Sequence, residues 1–180
     1  MTVVTSDSIT RSGLFTQAYW NVFNLVNNRS NVVDPHTNGS SGKRSFVYSR
    51  EPEVNGLNFA GYPFIILHPV RVSQSRHTLG RTTAQVDWSV LIEVRNNDTF
   101  AREKPGIDPV GRGLAQLDSV SDDVFETFNS ETNKNTMETY GMYFVNPEVT
   151  SEDTINLENE TVYVREIELR FRNALLTVSA

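Results

Sequence analysis

The sequence predicts an α+β domain in which helices cover one face of a largely antiparallel β-sheet. Two segments, at 14–26 and 113–128, have apolar residues at helical spacing. Two others, at 84–95 and 161–178, alternate apolar and polar residues, as a strand with one buried face does. A chain of 180 residues fits a single domain over residues 1–180, so we expect one core beneath one sheet.

Both helical segments are amphipathic. In the first, "LFTQAYWNVFNLV", the apolar side chains on one side are Leu14, Ala18, Val22 and Leu25. In the second, "GLAQLDSVSDDVFETF", they are Leu114, Leu117, Val124 and Phe128, and the polar side is acidic. Each helix is therefore expected to pack an apolar stripe on the sheet.

Five strands are predicted around these helices. A short strand at 45–50 and an apolar strand at 64–73 precede the strong strand at 84–95. A short strand "MYFVNPEV" and the long strand at 161–178 follow the second helix. The apolar run "FIILHPVRVS" indicates burial on both faces, with Pro69 marking a bulge or a sheet edge.

The polar stretches at about 27–45 and about 96–112 are predicted to be a flexible loop and a long connection. The first contains "DPHTNGSSGKRS", which has some features of a phosphate-binding loop. Such a loop needs a glycine, four residues and then Gly-Lys-Ser/Thr before a helix. Here the first position holds Thr37, the last holds Arg44, and a β-like segment follows. We therefore expect no phosphate site in this loop.

The sequence shows no catalytic or metal-binding pattern. It has no cysteine, and its three histidines, His36, His68 and His77, lack the spacing of a zinc or iron site. His68 lies inside an apolar strand and is expected to be a satisfied core or interface histidine. We therefore predict a protein that is not an enzyme and has no cofactor.

Charge is unevenly distributed along the chain. The net charge of −6 disfavours general binding of nucleic acid. Residues 43–81 hold six basic and two acidic side chains, whereas residues 118–160 hold eleven acidic and one basic. The N-terminus lacks the features of a secretion signal, and no run approaches the roughly 18 apolar residues of a membrane span. We therefore expect synthesis in a cytoplasm and no membrane partner.

The last predicted strand carries a row of mixed charges on its polar face. Such a row is commonly the solvent side of an antiparallel strand, and it can also orient a docking subunit. Together with the uneven charge it favours a head-to-tail contact between copies, which forms a ring when the rotation closes. The candidate assembly surface comprises Lys43, Arg44, Arg76, Arg81, Asp122, Asp123, Glu126, Glu166, Glu168, Arg170 and Arg172.

In element order the chain resembles the tail-terminator (tail-completion) proteins of long-tailed bacteriophages. The segments that carry the resemblance are "LFTQAYWNVFNLV", "GYPFIILHPVRV", "VDWSVLIEVRNN", "GLAQLDSVSDDVFETF" and "TVYVREIELRFRNAL". The resemblance implies a structural virion protein at the head-proximal end of the tail, assembled in the host cytoplasm. It implies a homohexameric ring that caps the tail-tube protein, stops tube polymerisation and docks the head connector protein. DNA would pass through without specific binding.

Two other functions remain open from the sequence. A head-completion or connector stopper protein would share the virion setting and differ in the partner that it caps. A small-ligand or carbohydrate-binding β-rich module is favoured by the content of Asn, Tyr and Trp. An enzyme would need a convergent polar site, and the sequence does not show one.

Overall fold

Six strands form one sheet in the computed structural model, which describes residues 14–28, 46–53, 59, 61–76, 83–97, 113–139 and 141–177. The elements are α1 (Leu14–Asn28), β1 (Val47–Tyr48), β2 (Phe64–Leu67), β3 (Arg71–Arg76), β4 (Thr83–Asn97), α2 (Leu114–Asn129), α3 (Glu131–Thr139), β5 (Met142–Asn156) and β6 (Thr161–Thr177). The strand order is β1-β2-β4-β6-β5, and β3 also pairs with β4. Only β1 with β2 is parallel among the described pairings, so the predicted α+β class is confirmed.

The long strands β4 and β6 form the centre of the sheet. They pair antiparallel from Asn97↔Val162 to Thr83↔Thr177, with one irregularity between Ala84 and Val86. The face of β4 that the alternation assigns to the core is buried, and we call it the helix face. Its described residues on β4 are Trp88, Val90, Ile92 and Val94.

Helices α1 and α2 cover the helix face. Leu117, Val124 and Phe128 of α2 join Val22 and Leu25 of α1 in the same buried cluster as the core residues of β4. Both predicted helices therefore form, and their described stripe residues are buried except Leu114, which is 50% exposed at the first residue of α2.

The second face of the sheet is covered over only half of its length. Near the β5–β6 turn, Phe64 and Ile66 of β2 and Val162 and Val164 of β6 are buried on this face. The rings of Tyr48, Phe59 and Tyr62 pack there, and each ring centroid lies within 5.8 Å of the Phe64 ring centroid. The ring centroids of Tyr48 and Phe59 lie 6.5 Å apart. No described element covers the other half, which we call the open half.

The predicted strand at 64–73 is divided into two. The His68 backbone N–H donates to the Leu91 carbonyl at 2.9 Å, and Pro69, which has no N–H, follows it. Pairing with β4 resumes at Arg71. All four residues of β2 are buried, as the apolar run predicted, and Pro69 marks the break rather than a bulge within one strand.

Several elements differ from the prediction in their presence or their bounds. Helix α3 occupies a segment that the sequence indicated as a connection, and β5 extends to Asn156 where a short strand was expected. The predicted loop at 27–45 and connection at 96–112 lie outside the described residues except at their ends. There, residues 27–28 belong to α1 and residues 96–97 to β4.

Candidate assembly surfaces

The mixed-charge row of β6 lies on the second face, as predicted, and Glu168, Arg170 and Arg172 of this row are paired within the chain. Arg170 places Nη2 2.5 Å from Glu168 Oε2 and Nη1 3.4 Å from Glu148 Oε2. Arg172 Nε donates to Asp87 Oδ1 at 3.0 Å. The hydrogen bond from Arg170 holds the pKa of Glu168 below its ordinary value. These ion pairs cross-link β4, β5 and β6 and leave the exposed arginine edges available to a partner.

The acidic residues of α2 lie on the opposite side of the sheet from this row. Asp122 and Glu126, one helical turn apart, are exposed, and Asp123 is partly buried. The Asp123 carbonyl accepts a hydrogen bond from Thr127 Oγ1 at 2.8 Å. The structure therefore separates the predicted candidate residues into two surfaces, with the sheet between them.

Four predicted basic residues are not placed by the structure as side chains. Lys43, Arg44 and Arg81 lie outside the described residues. Arg76 is the last residue of β3, where the backbone is paired with Ala84 of β4. Their role in assembly stays a prediction.

A groove of about 620 Å³ crosses the open half. It runs from β3 over β4 and β6 to β5, and its lining includes Arg71, Ser89, Asn146 and Arg170. Asp87 is the one carboxylate in its lining, among the residues that the structure describes. The groove is broad and open rather than an enclosed cavity, and its lining combines these polar groups with the aromatic residues Trp88, Phe144 and Phe171.

Phe144 stands at one side of the groove and is 79% exposed. It lies in an irregularity of β5 between Tyr143 and Asn146, and its φ is 52°. The Arg172 guanidinium sits 5.6 Å from the ring centroid, a cation–π contact. A phenylalanine with positive φ is strained, so the bulge holds an aromatic side chain in solvent at a conformational cost. Periodicity does not reveal such a residue, so its exposure was not predicted from the sequence.

The β5–β6 hairpin exposes apolar residues at its far end as well. Ile155 is 41% and Leu157 is 53% exposed, and Asp153 and Glu158 lie beside them. From Thr161 to Phe171 the strand rises about 33 Å, so this end and Phe144 are at opposite ends of the β5–β6 hairpin. One end is acidic and aliphatic, and the other is aromatic with arginine.

An ionic cluster centred on the buried Glu93 joins β4 to His68, which follows β2, and to Glu51. Glu93 is buried, its Oε2 lies 2.8 Å from His68 Nε2, and its Oε1 accepts from Arg95 Nε. Arg95 also binds Glu51 through both terminal nitrogens. Burial pulls the pKa of Arg95 down, but hydrogen bonds and charge from Glu93 and Glu51 outweigh it and leave that pKa raised.

The contacts of this cluster indicate a structural role. His68 is partly exposed and bound to Glu93, as expected for a satisfied histidine. Glu93 was missed because alternation assigns it to a solvent face, where only its spacing from Arg95 hints at a pair. Over the described ranges no group of three His, Cys, Asp or Glu side chains is placed to hold a metal ion. Within them, too, no helix has the length and apolar character needed to cross a membrane.

Comparison with known proteins finds a coarse likeness to solved structures. No family model matches the chain, and no curated protein matches it. Among solved structures, a chain of the "Virion of native gene transfer agent (GTA) particle" is similar, with a TM-score of 0.47 and 14% identity. The alignment covers 92% of this chain and 100% of that chain.

Proposed function

We propose that the protein is a structural virion protein that acts as a tail terminator. In this function it forms a ring, expected to be a hexamer, at the head-proximal end of the tail. One side of the ring binds the last tail-tube subunits, and the other side receives the head connector. The resemblance in element order suggests this function, and the setting agrees with the virion named for the similar chain.

The observation that carries the proposal is the chemical difference between the two ends of the β5–β6 hairpin. A protein that stops a polymer must bind the last subunit with one surface and present a different surface to whatever follows. Leu157 with Glu158 at one end and Phe144 with Arg172 at the other are unlike surfaces about 33 Å apart. Exposed apolar residues beside charges are typical of contact sites.

The paired state of the polar clusters supports a role in assembly over one in catalysis. Glu93, the most buried described carboxylate, is held by His68 and Arg95, and no nucleophile is bonded to that histidine in the described structure. The described ion pairs of β6 brace strands against one another. A ring that must pass DNA also benefits from an acidic chain, because a basic lumen would bind the phosphates by counterion release.

The test measures tube capping and head binding in variants substituted at the two ends of the β5–β6 hairpin. We would compare Phe144→Asp and Leu157→Asp, with Ser119→Asp on the exposed side of α2 as the matched control. Purified protein is added to tail tubes and to heads of the phage that encodes it. Tube length by electron microscopy and co-sedimentation with heads are then measured.

We expect one end variant to lose tube capping and keep head binding, and the other to do the reverse, while Ser119→Asp keeps both. Wild-type protein that binds heads but never caps tubes would identify a stopper instead of a terminator. Protein that stays monomeric and binds neither partner would contradict the proposed function.

A further inference from the structure

We propose that the ring is held together by its β-sheets, with the β5 edge of one copy pairing antiparallel with the β3 edge of the next. This inference rests on the proposed function, and it assigns the surfaces by which copies of the chain meet. The observations that carry it are the edges of β5 and β3 that no described strand covers, their charges, their apolar side chains and the direction of their strands.

Three strands, β1, β3 and β5, have an edge that no described strand covers, and β1 has only two residues. β5 pairs only with β6, and β3 pairs only with β4, among the described strands. The backbone N–H and C=O groups along such edges are templates for another strand, and proteins usually guard them with lysine, proline or a short length. β5 has 15 residues and no lysine, and its one proline is Pro147, so most of its length is open to pairing.

The two edges carry opposite charge. β3, "RVSQSR", has two arginines and no acid, whereas β5, "MYFVNPEVTSEDTIN", has three acids and no base. On the second face, Arg71 is exposed at one edge and Glu148 is exposed at the other. Opposite charges on neighbouring strands stabilise pairing, and like charges oppose it. A β5–β5 contact would set acids against acids, so the charges favour the head-to-tail contact.

Each edge also exposes a valine on the helix face. Val72 of β3 is 37% exposed and Val149 of β5 is 41% exposed. Val72 is level with Trp88 and Val149 with Ile167, both of which face the core. Joining the two edges would continue the apolar side of the sheet from one copy to the next.

Strand directions fit this contact. β3 is antiparallel to β4, β4 to β6, and β6 to β5, so β5 runs opposite to β3 within one chain. A rotation about an axis along the strands preserves direction, so the next copy's β3 arrives antiparallel to β5. Four strands per copy therefore continue the antiparallel alternation around a closed ring.

The register also brings the charges together. Within one chain Arg71 is level with Ser89, Arg170 and Asn146 across the four strands. The next copy's Arg71, at equal height, would be level with Asn146 and diagonal to Glu148, within reach of a long side chain. In closed barrels, neighbouring strands are shifted along their axes by roughly one residue per strand. A shift of the next copy by up to about four residues toward the β5–β6 turn would therefore still keep its Arg71 beside Glu148.

Charge exchange tests the contact. We would prepare Arg71→Glu, Glu148→Arg and the double variant in the full chain, with Arg50→Glu and Glu138→Arg as controls at exposed sites outside the two edges. Native mass spectrometry in low salt, with tail tubes where the free protein does not assemble, measures ring formation. Each single variant is expected to weaken assembly about tenfold per contact, and the double variant to restore it.

A cross-link provides a second measurement that does not depend on charge. The chain has no cysteine, so Val72→Cys and Val149→Cys can be introduced together and joined by a bismaleimide spanning about 14 Å. Within one chain the two positions are about 19 Å apart by strand geometry, and across the proposed contact about 14 Å or less. On a denaturing gel, the double variant should give a ladder of covalent oligomers. Each single variant should run as a monomer, because it cannot form a chain of cross-links around the ring.

The possible failures can be told apart. If wild-type protein forms rings and the single charge variants assemble normally, the edge contact is wrong. The same holds if rings form and the cysteine double variant gives no covalent ladder. Both outcomes would leave the terminator function unaffected. Covalent dimers from Val149→Cys alone would show β5–β5 pairing and would also overturn the proposed contact. Wild-type protein that never forms a ring, even on tubes, would remove the proposed function itself.

Discussion

Arg165 joins the sheet to α2 through Asp118, with Arg165 Nη2 2.7 Å from Asp118 Oδ1. The same nitrogen lies 2.9 Å from Glu152 Oε1 on β5. The Arg165 side chain is largely buried and each acid is about half exposed, so one guanidinium fixes α2, β5 and β6 relative to one another. It also sets one positive charge between two acids in the most acidic part of the chain.

We predict that Arg165→Met lowers the free energy of unfolding by about 1–2 kcal/mol, because two charge-assisted hydrogen bonds are lost while the partly exposed acids stay hydrated. Urea denaturation followed by circular dichroism would measure it. Asp118→Asn is the matched variant and should cost less, because Glu152 still pairs with Arg165. An Arg165→Met protein as stable as wild type would show that the arginine does not tie the layers together.

Gly113 precedes α2 in a conformation that suits only glycine well. Its φ is 60°, and a Cβ added there would lie 3.0 Å from Tyr163 Cε2. We predict that Gly113→Ala costs about 1–2 kcal/mol from the left-handed backbone, with a further steric cost from the ring. Thermal unfolding measures the total. In a Tyr163→Ala background, Gly113→Ala should lose the steric contribution to its destabilisation and keep the backbone contribution. Equal destabilisation by Gly113→Ala in both backgrounds would argue against the clash.

The parts of the fold that periodicity predicts are those with one buried face. Trp88, Val90 and Ile92 alternate with polar residues, and their strand forms where it was expected. α3 escaped prediction because only Asn133 and Met137 of its nine residues are buried, too few to make a stripe. β5 was predicted too short because most of its residues beyond Pro147 are exposed on both faces, so no alternation marks them.

The candidate surfaces were predictable only as charges along the chain. The row on β6 was placed on the correct face, since a two-residue repeat fixes the face of a strand. The separation of Asp122 and Glu126 from that row by the sheet depends on how α2 packs, which sequence spacing does not specify. Phe144 owes its exposure to a bulge, and Glu93 owes its burial to partners on another strand, so both needed tertiary structure.

Asn133 ties α3 to α2, and its substitution tests why this polar helix forms. Its buried Nδ2 donates to the Thr127 carbonyl at 2.8 Å, across the junction at Ser130. We predict that Asn133→Ala costs about 1–3 kcal/mol because the buried carbonyl loses its side-chain donor. Asn135→Ala, at an exposed position on the same helix, is the control and should be nearly neutral. Hydrogen exchange of the α3 amides would locate the effect, and equal exchange in the two variants would contradict it.

The lowered pKa of Glu168 gives a pH-dependent prediction with a defined sign. Hydrogen bonding from Arg170 is the largest cause of the lowering from 4.5, and Ser89 and Arg71 add to it. A carboxyl whose pKa is lowered by folding stabilises the protein above its unfolded pKa, and that contribution is lost as pH falls through the folded pKa. Arg170→Met should therefore raise the pKa of Glu168, because the largest lowering cause is lost while burial, which raises this pKa, remains.

Carboxyl titration by NMR measures this shift directly, and Arg172→Met, whose partner is Asp87, is the matched control that should leave Glu168 unchanged. The stability difference between wild type and Arg170→Met should shrink as pH falls below 4.5, because protonation of Glu168 removes the interaction in wild type too. High salt should reduce the same difference at neutral pH, since the pair is largely exposed and screened. An unchanged pKa of Glu168 in Arg170→Met would mean that the pair is not maintained in solution, and Arg170 would then be free for a partner subunit.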